Sequence, residues 1–221
     1  MHNSFFVRCL FLDLASHSGL LACAEDRAIK ASEPVDHRIG DHELILLFEK
    51  TLDAAGWKSG DLTHVACAIG PGGFMSLRVA VAFANTLIHQ LHIPGAGIHL
   101  SDLTAARVQD AVDFLWLHST KRHELFARGF GSYTSLWPEA VHLTVDDFIA
   151  KLPPSPFPLP EGGGMRNELF FVGELIPEHE ALFKDRTTPA SLRSLDDVLP
   201  EFLARQTFAP ELLEPWYGRG W

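Results

Sequence analysis

The chain is poor in cysteine: Cys9, Cys23 and Cys67 are the only three in 221 residues, and none stands in a CxxC spacing. That excludes a disulfide framework and a thiolate metal site, and small buried thiols in a reducing, cytoplasmic setting are expected. Twelve histidines are present, but there is no HExxH and no i, i+4 pair. They read as scattered surface residues, and no metal is expected. There is no GxSxG elbow, and no Gly-Lys-Ser/Thr follows a glycine turn, so the best-known hydrolase and Walker signatures are missing. No serine or cysteine is tied by spacing to a histidine and a carboxylate, so no catalytic residue is assigned. Long apolar runs are also lacking. Phe5 to Leu14 is interrupted by Arg8 and Asp13 and has no basic segment before it, which argues against a signal peptide, and nothing else is long enough to span a membrane. Finally, 18 basic residues face 28 acidic ones, a net charge of -10, and the basic ones are scattered. Contact with a polyanion such as RNA would need a basic partner.

What remains is an alternation of strand and helix patterns. Strands are expected at Phe5–Leu14, Gly19–Glu25 and Arg27–Ser32, then a helix over 39–55 with Gly56 as its C-cap. A strand at 64–69, a glycine turn, a helix over 76–91 closed by Pro94, a short strand near 97–99 and a helix to Asp110 follow. The second half starts again with strands at 112–118, 124–130 and near 140–143. A helix capped by Thr144 runs to Lys151, then come a strand at 169–172 and helices at 178–183 and 195–206. Three strands followed by alternating helices and strands thus occur twice, although no residue-level repeat is visible. The expected division is 1–100 and 101–221. Leu152–Gly164, LPPSPFPLPEGGG, can be neither helix nor central strand, and reads as a surface loop in preference to a proline-rich ligand.

The segment Cys67–Ile88, CAIGPGGFMSLRVAVAFANTLI, is a buried strand running through a glycine turn into a helix. Two uses are open for it. The turn Gly70-Pro71-Gly72-Gly73 can present helix amides to an anion, with Arg78 in reach, or it can be a tight joint that lets strand and helix approach closely. The joint is the preferred reading. At the first strand's end, Asp13 and Ser16 are weak candidates for nucleotide contact, because the apolar Leu14 and Ala15 make a poor phosphate turn.

Gly70-Pro71-Gly72-Gly73-Phe74-Met75-Ser76-Leu77-Arg78 resembles the GPGSFTGLR signature of the TsaB (YeaZ) family. Asp13-Leu14-Ala15-Ser16 resembles the family's first-strand Asp-Thr-Ser, Lys121–Phe126 its RRGEVY segment, and Pro215–Arg219 its terminal PxYLR. Gly73, Met75 and Ser76 replace the family's Ser, Thr and last Gly, so the usual pair of hydroxyls is missing. The resemblance implies an α/β ASKHA (actin-like) duplicated fold, two subdomains with mixed sheets flanked by helices. It also implies a non-catalytic scaffold for making threonylcarbamoyladenosine beside the tRNA anticodon. In that family a TsaD-like subunit performs the transfer, a TsaE-like ATPase assists, tRNA is met indirectly, and homodimers form when the partner is absent. No cofactor of its own is implied. The alternatives are a nucleotide-binding, kinase-like enzyme of the same fold and a glycoprotease-like peptidase.

The apolar content of two helices points to a partner as well. Leu44, Ile45, Leu46, Leu47 and Phe48 are consecutive, and five apolar residues in a row wrap beyond a single helix face. The 76–91 helix alternates large apolar residues with alanines. Leu44, Leu46, Leu47, Phe48, Leu77, Val81, Phe83, Ala84 and Leu87 are therefore the expected partner interface.

Overall fold

The computed structural model describes residues 7–35, 39–152, 169–184 and 187–218. Most of the Pro/Gly segment, His37 and Arg219 lie outside them. The chain divides into two compact units, Met1–Ala106 with Ser194–Tyr217, and Arg107–Arg193 with Gly218–Trp221.

In the first unit, β1 (Arg8–Asp13), β2 (Gly19–Glu25), β3 (Ala28–Val35), β4 (His64–Gly70) and β5 (Gly95–His99) form one sheet in the order β3-β2-β1-β4-β5. The hairpins β1/β2 and β2/β3 are antiparallel, whereas β1/β4 and β4/β5 are parallel. Parallel neighbours need crossovers, and helices supply them: α1 (Asp41–Ala55) joins β3 to β4, and α2 (Phe74–Leu91) joins β4 to β5. Because side chains alternate along a strand, Leu10, Leu12, Leu21, Cys23, Val65 and Cys67 face α1 and α2. Cys9, Phe11, Ala22, Ala24 and Ala66 face the other way, onto α3 (Leu100–Arg107) and α6 (Leu195–Leu203). The alanines on that face allow both helices close to the sheet.

Local signals explain the helix ends. The Gly40 amide donates to the Glu43 carboxylate at 3.0 Å at the start of α1. Gly56 ends it in the left-handed region at φ 72°, and the Trp57 amide reaches back to Leu52 O at 2.9 Å.

The second unit repeats the wiring. Strands β6 (Phe114–Lys121), β7 (Glu124–Phe130), β8 (Val141–Thr144), β9 (Leu169–Glu174) and β10 (Thr187–Pro189) lie in the order β10-β9-β6-β7-β8. Again the hairpins are antiparallel and β6/β9 and β9/β10 parallel. The described helices of its crossovers are short: α4 (Val145–Lys151), capped by Thr144 Oγ1 accepting from the Asp147 amide at 3.0 Å, and α5 (Pro177–Phe183). In its core Trp137 stacks on Phe148 at 5.1 Å between ring centroids, and Phe183 meets Phe148 edge-on at 5.5 Å.

The duplicated α/β fold is as expected, with corrections of detail. The division falls at Ala106/Arg107 instead of 100/101, and Ser194–Tyr217 belongs to the first unit. The reason is apolar packing: Leu195, Leu199, Phe202 and Leu203 complete the second face of the first sheet. The strand β10 was not anticipated, since three residues carry too little pattern. Nor are the histidines all on the surface: His118 and His179 are 1% and 2% exposed.

Candidate functional site: the glycine turn and the outer face of two helices

The glycine turn is bounded by contacts that explain its composition. Gly70 has φ 135°, a region costly for other residues, and a side chain there would collide with the carbonyl of Trp216. The Gly70-Pro71 bond is cis. At Gly72, an added Cβ would lie 2.7–2.9 Å from backbone and side-chain atoms of Ala15. The turn is thus closed against the β1–β2 connection on one side and the C-terminal segment on the other.

That C-terminal segment is a strap along the first unit. Gly95 and Ala209 exchange backbone hydrogen bonds of 2.8 and 2.9 Å. The Asn85 side chain donates to Leu213 O at 3.0 Å and accepts from the Leu213 amide at 2.8 Å. The Trp216 amide donates to Ile69 O at 2.7 Å, and the Trp216 ring meets His99 edge-on at 4.6 Å. Tyr217 packs on Phe74 at 5.1 Å, and the Arg78 guanidinium lies 5.4 Å above the Phe74 ring. Arg78 therefore rests on an aromatic face, a cation–π contact.

Asp13 is 2% exposed. Its carboxylate accepts from the amides of Ala15 and Ser16 at 2.9 and 3.1 Å, and from the Ser16 hydroxyl. Asp13 and Ser16 thus face each other within their own turn instead of presenting polar groups to a ligand. The three thiols are inert by position: burial pushes Cys9 and Cys23 up to about 12, and burial followed by the nearby Asp13 charge raises Cys67. Among the described residues, no group of three or more His, Cys, Asp and Glu is placed to hold a metal ion, and no helix is long and apolar enough to cross a membrane.

The expected partner surface splits in two. Leu44, Phe48, Leu77, Val81, Ala84 and Leu87 are at most 8% exposed and belong to the core beneath α1 and α2. They are corrected from interface to core, because the helices bury this stripe on their own sheet. The physical cause is periodicity: in α2 the positions 77, 80, 81, 84, 87 and 88 form one helix face, the buried one. What remains outward is Ile45, Leu46, Phe74 and Met75, exposed by 47, 53, 50 and 51%. Leu47 and Phe83 are half-buried, and Phe83 meets Phe48 edge-on at 5.2 Å. Ile45 and Met75 were missed as candidates; their place on the outer side of a periodic stripe was the available signal.

A model of the family TsaD, tRNA N6-adenosine threonylcarbamoyltransferase, matches residues 40–182, well over half of the chain. The fold is similar to a solved structure described as an uncharacterised protein with similarity to the peptidase YeaZ from Pseudomonas aeruginosa. That match has 19% identity and a TM-score of 0.64, covering 96% of this chain and 100% of the other. YeaZ from Pseudomonas aeruginosa matches at 17% identity and TM-score 0.59, over 95% of this chain and 99% of its own. No curated protein matches the chain. The chain belongs to the TsaD, tRNA N6-adenosine threonylcarbamoyltransferase, family, with a YeaZ-like fold.

Proposed function

We propose that this protein is a non-catalytic scaffold subunit in threonylcarbamoylation of the adenosine beside the tRNA anticodon, acting through a TsaD-like catalytic partner. The observation that carries this reading is the outer face of α1 and α2, where Ile45, Leu46, Phe74 and Met75 stand about half exposed. Large apolar side chains exposed on neighbouring helices of one unit favour burial against another protein. The family match supplies the pathway, and the YeaZ-like fold supports the scaffold role over that of the transferase itself.

In this reading the partner carries the chemistry and a TsaE-like ATPase completes the complex. The first unit's core fixes the geometry of the docking helices. The net charge of -10 leaves tRNA contact mainly to other subunits. When the partner is absent, the same face pairs two copies of this chain, and the complex works in the cytoplasm.

Co-expression of tagged chain with a TsaD-like protein tests the assignment. Stoichiometric co-purification is expected, and Leu46→Asp is expected to abolish it while circular dichroism stays unchanged. A wild-type chain that never co-purifies would overturn the proposal.

A further inference from the structure

The actin-like fold implies a nucleotide whose phosphates meet backbone amides at the turn between the first two strands. In this chain two of those amides, of Ala15 and Ser16, already have a partner. Ala15 N and Ser16 N both donate to Asp13 Oδ1, at 2.9 and 3.1 Å, and the Ser16 hydroxyl donates to Oδ2. Space is taken as well. Gly72 comes so close that even a methyl group on it would lie 2.7–2.9 Å from Ala15, and Leu14 and Ala15 are 7% and 4% exposed. On the far side of the connection, Gly19 lies against the carbonyl of Asp13 and against Val35. The residues present therefore do not fit a nucleotide phosphate.

We infer that Asp13 is the resident anion of the first unit: its carboxylate occupies the turn amides that a phosphate would need, and the unit takes no nucleotide. A carboxylate that accepts two amides and a hydroxyl is held by charge-assisted hydrogen bonds, stronger than neutral ones. Its negative charge is felt by the neighbouring thiol of Cys67. The glycine turn then has a second duty besides admitting α2 to the sheet: Gly72 seals the connection that Asp13 has tied.

This inference goes beyond the scaffold reading and stands without it. Calorimetry and thermal melts of the full chain, with ATP and magnesium and separately with inorganic phosphate, provide the test. Wild type is expected to give no heat and no shift in Tm at about 10 mM, a concentration that reveals a Kd near 1 mM. Asp13→Ala is expected to lower Tm by roughly 4–8 °C or more, as two buried amides lose their acceptor. Asp13→Asn keeps an acceptor oxygen, is expected to fold, and still leaves ATP unbound. Binding of ATP or phosphate by wild type or by Asp13→Asn would overturn the inference, and so would an Asp13→Ala chain that melts like wild type. Co-purification with the partner is measured without nucleotide, so the two results are independent.

Discussion

The two units share one wiring and fill it differently. In the first, the crossover helices are 15 and 18 residues long; in the second, their counterparts have seven each. The inner strands β4 and β9 both end near a glycine forced to positive φ, Gly70 at 135° and Gly173 at 122°. Each stands four residues before its helix, which starts at Phe74 in one unit and at Pro177 in the other. The link that follows differs. In the first unit Gly72 closes on Ala15 by bare contact; in the second, Ser119 at the end of β6 accepts the Ile176 amide at 2.9 Å. The shared part is thus the sheet and its bend, whereas among the described residues helices of 15 and 18 residues occur only in the first unit.

The largest effect should come from reversing inside and outside on α2 and α1. Leu77→Asp places a charge at a fully buried position and is expected to unfold the first unit, a loss above about 3–5 kcal/mol in denaturant titration. Leu46→Asp, at 53% exposure, should change stability by less than about 0.5 kcal/mol and act on association alone. Equal effects of the two would erase the distinction between core and docking face.

Next come the paired glycines. Gly70→Ala and Gly173→Ala must each hold a side chain at positive φ against a backbone carbonyl, of Trp216 and Leu117 respectively. Both are expected to cost about 2–4 kcal/mol. If only one does, the bend is not a shared device of the two units.

Ser119→Ala leaves the Ile176 amide without its hydroxyl acceptor and should cost about 1 kcal/mol, confined by hydrogen exchange to the second unit.

Alkaline pH offers a milder comparison. A thiol raised by burial keeps its proton in the folded state longer than in the unfolded state. Its contribution is therefore complete below 9.0 and is lost as pH climbs toward about 12 for Cys9 and Cys23. All three thiols lie in the first unit's sheet, so amide exchange should quicken there first between pH 9 and 11. Earlier loosening of the second unit would contradict the assignment.

Much of this was legible in the chain itself. Short apolar runs bounded by turn residues made β1, β2, β4 and β7 readable, and a Thr144 cap with two acidic residues behind it marked α4 to the residue. Three things were not. The return of α6 to the first sheet is a long-range event, decided by the gap that Ala22, Ala24 and Ala66 leave on one face. The buried state of Leu77 and Val81 needs knowledge of which helix face meets the sheet, and apolar density alone cannot tell core from interface. The repeat of Gly70 and Gly173 is a repeat of backbone conformation, invisible when the neighbours are Pro-Gly-Gly in one case and Glu-Leu-Ile in the other. The self-filled turn at Asp13 was half legible: Leu14 and Ala15 argued against a phosphate site, but only geometry shows the carboxylate taking its place.

The most direct measurement is the threonylcarbamoyladenosine content of tRNA, by mass spectrometry of nucleosides, in cells that lack this protein and carry either the wild-type chain or Leu46→Asp. The scaffold account predicts loss of the modified nucleoside on deletion, recovery with wild type, and failure of Leu46→Asp to restore it although the variant is folded and abundant. An unchanged level of the nucleoside on deletion would contradict it.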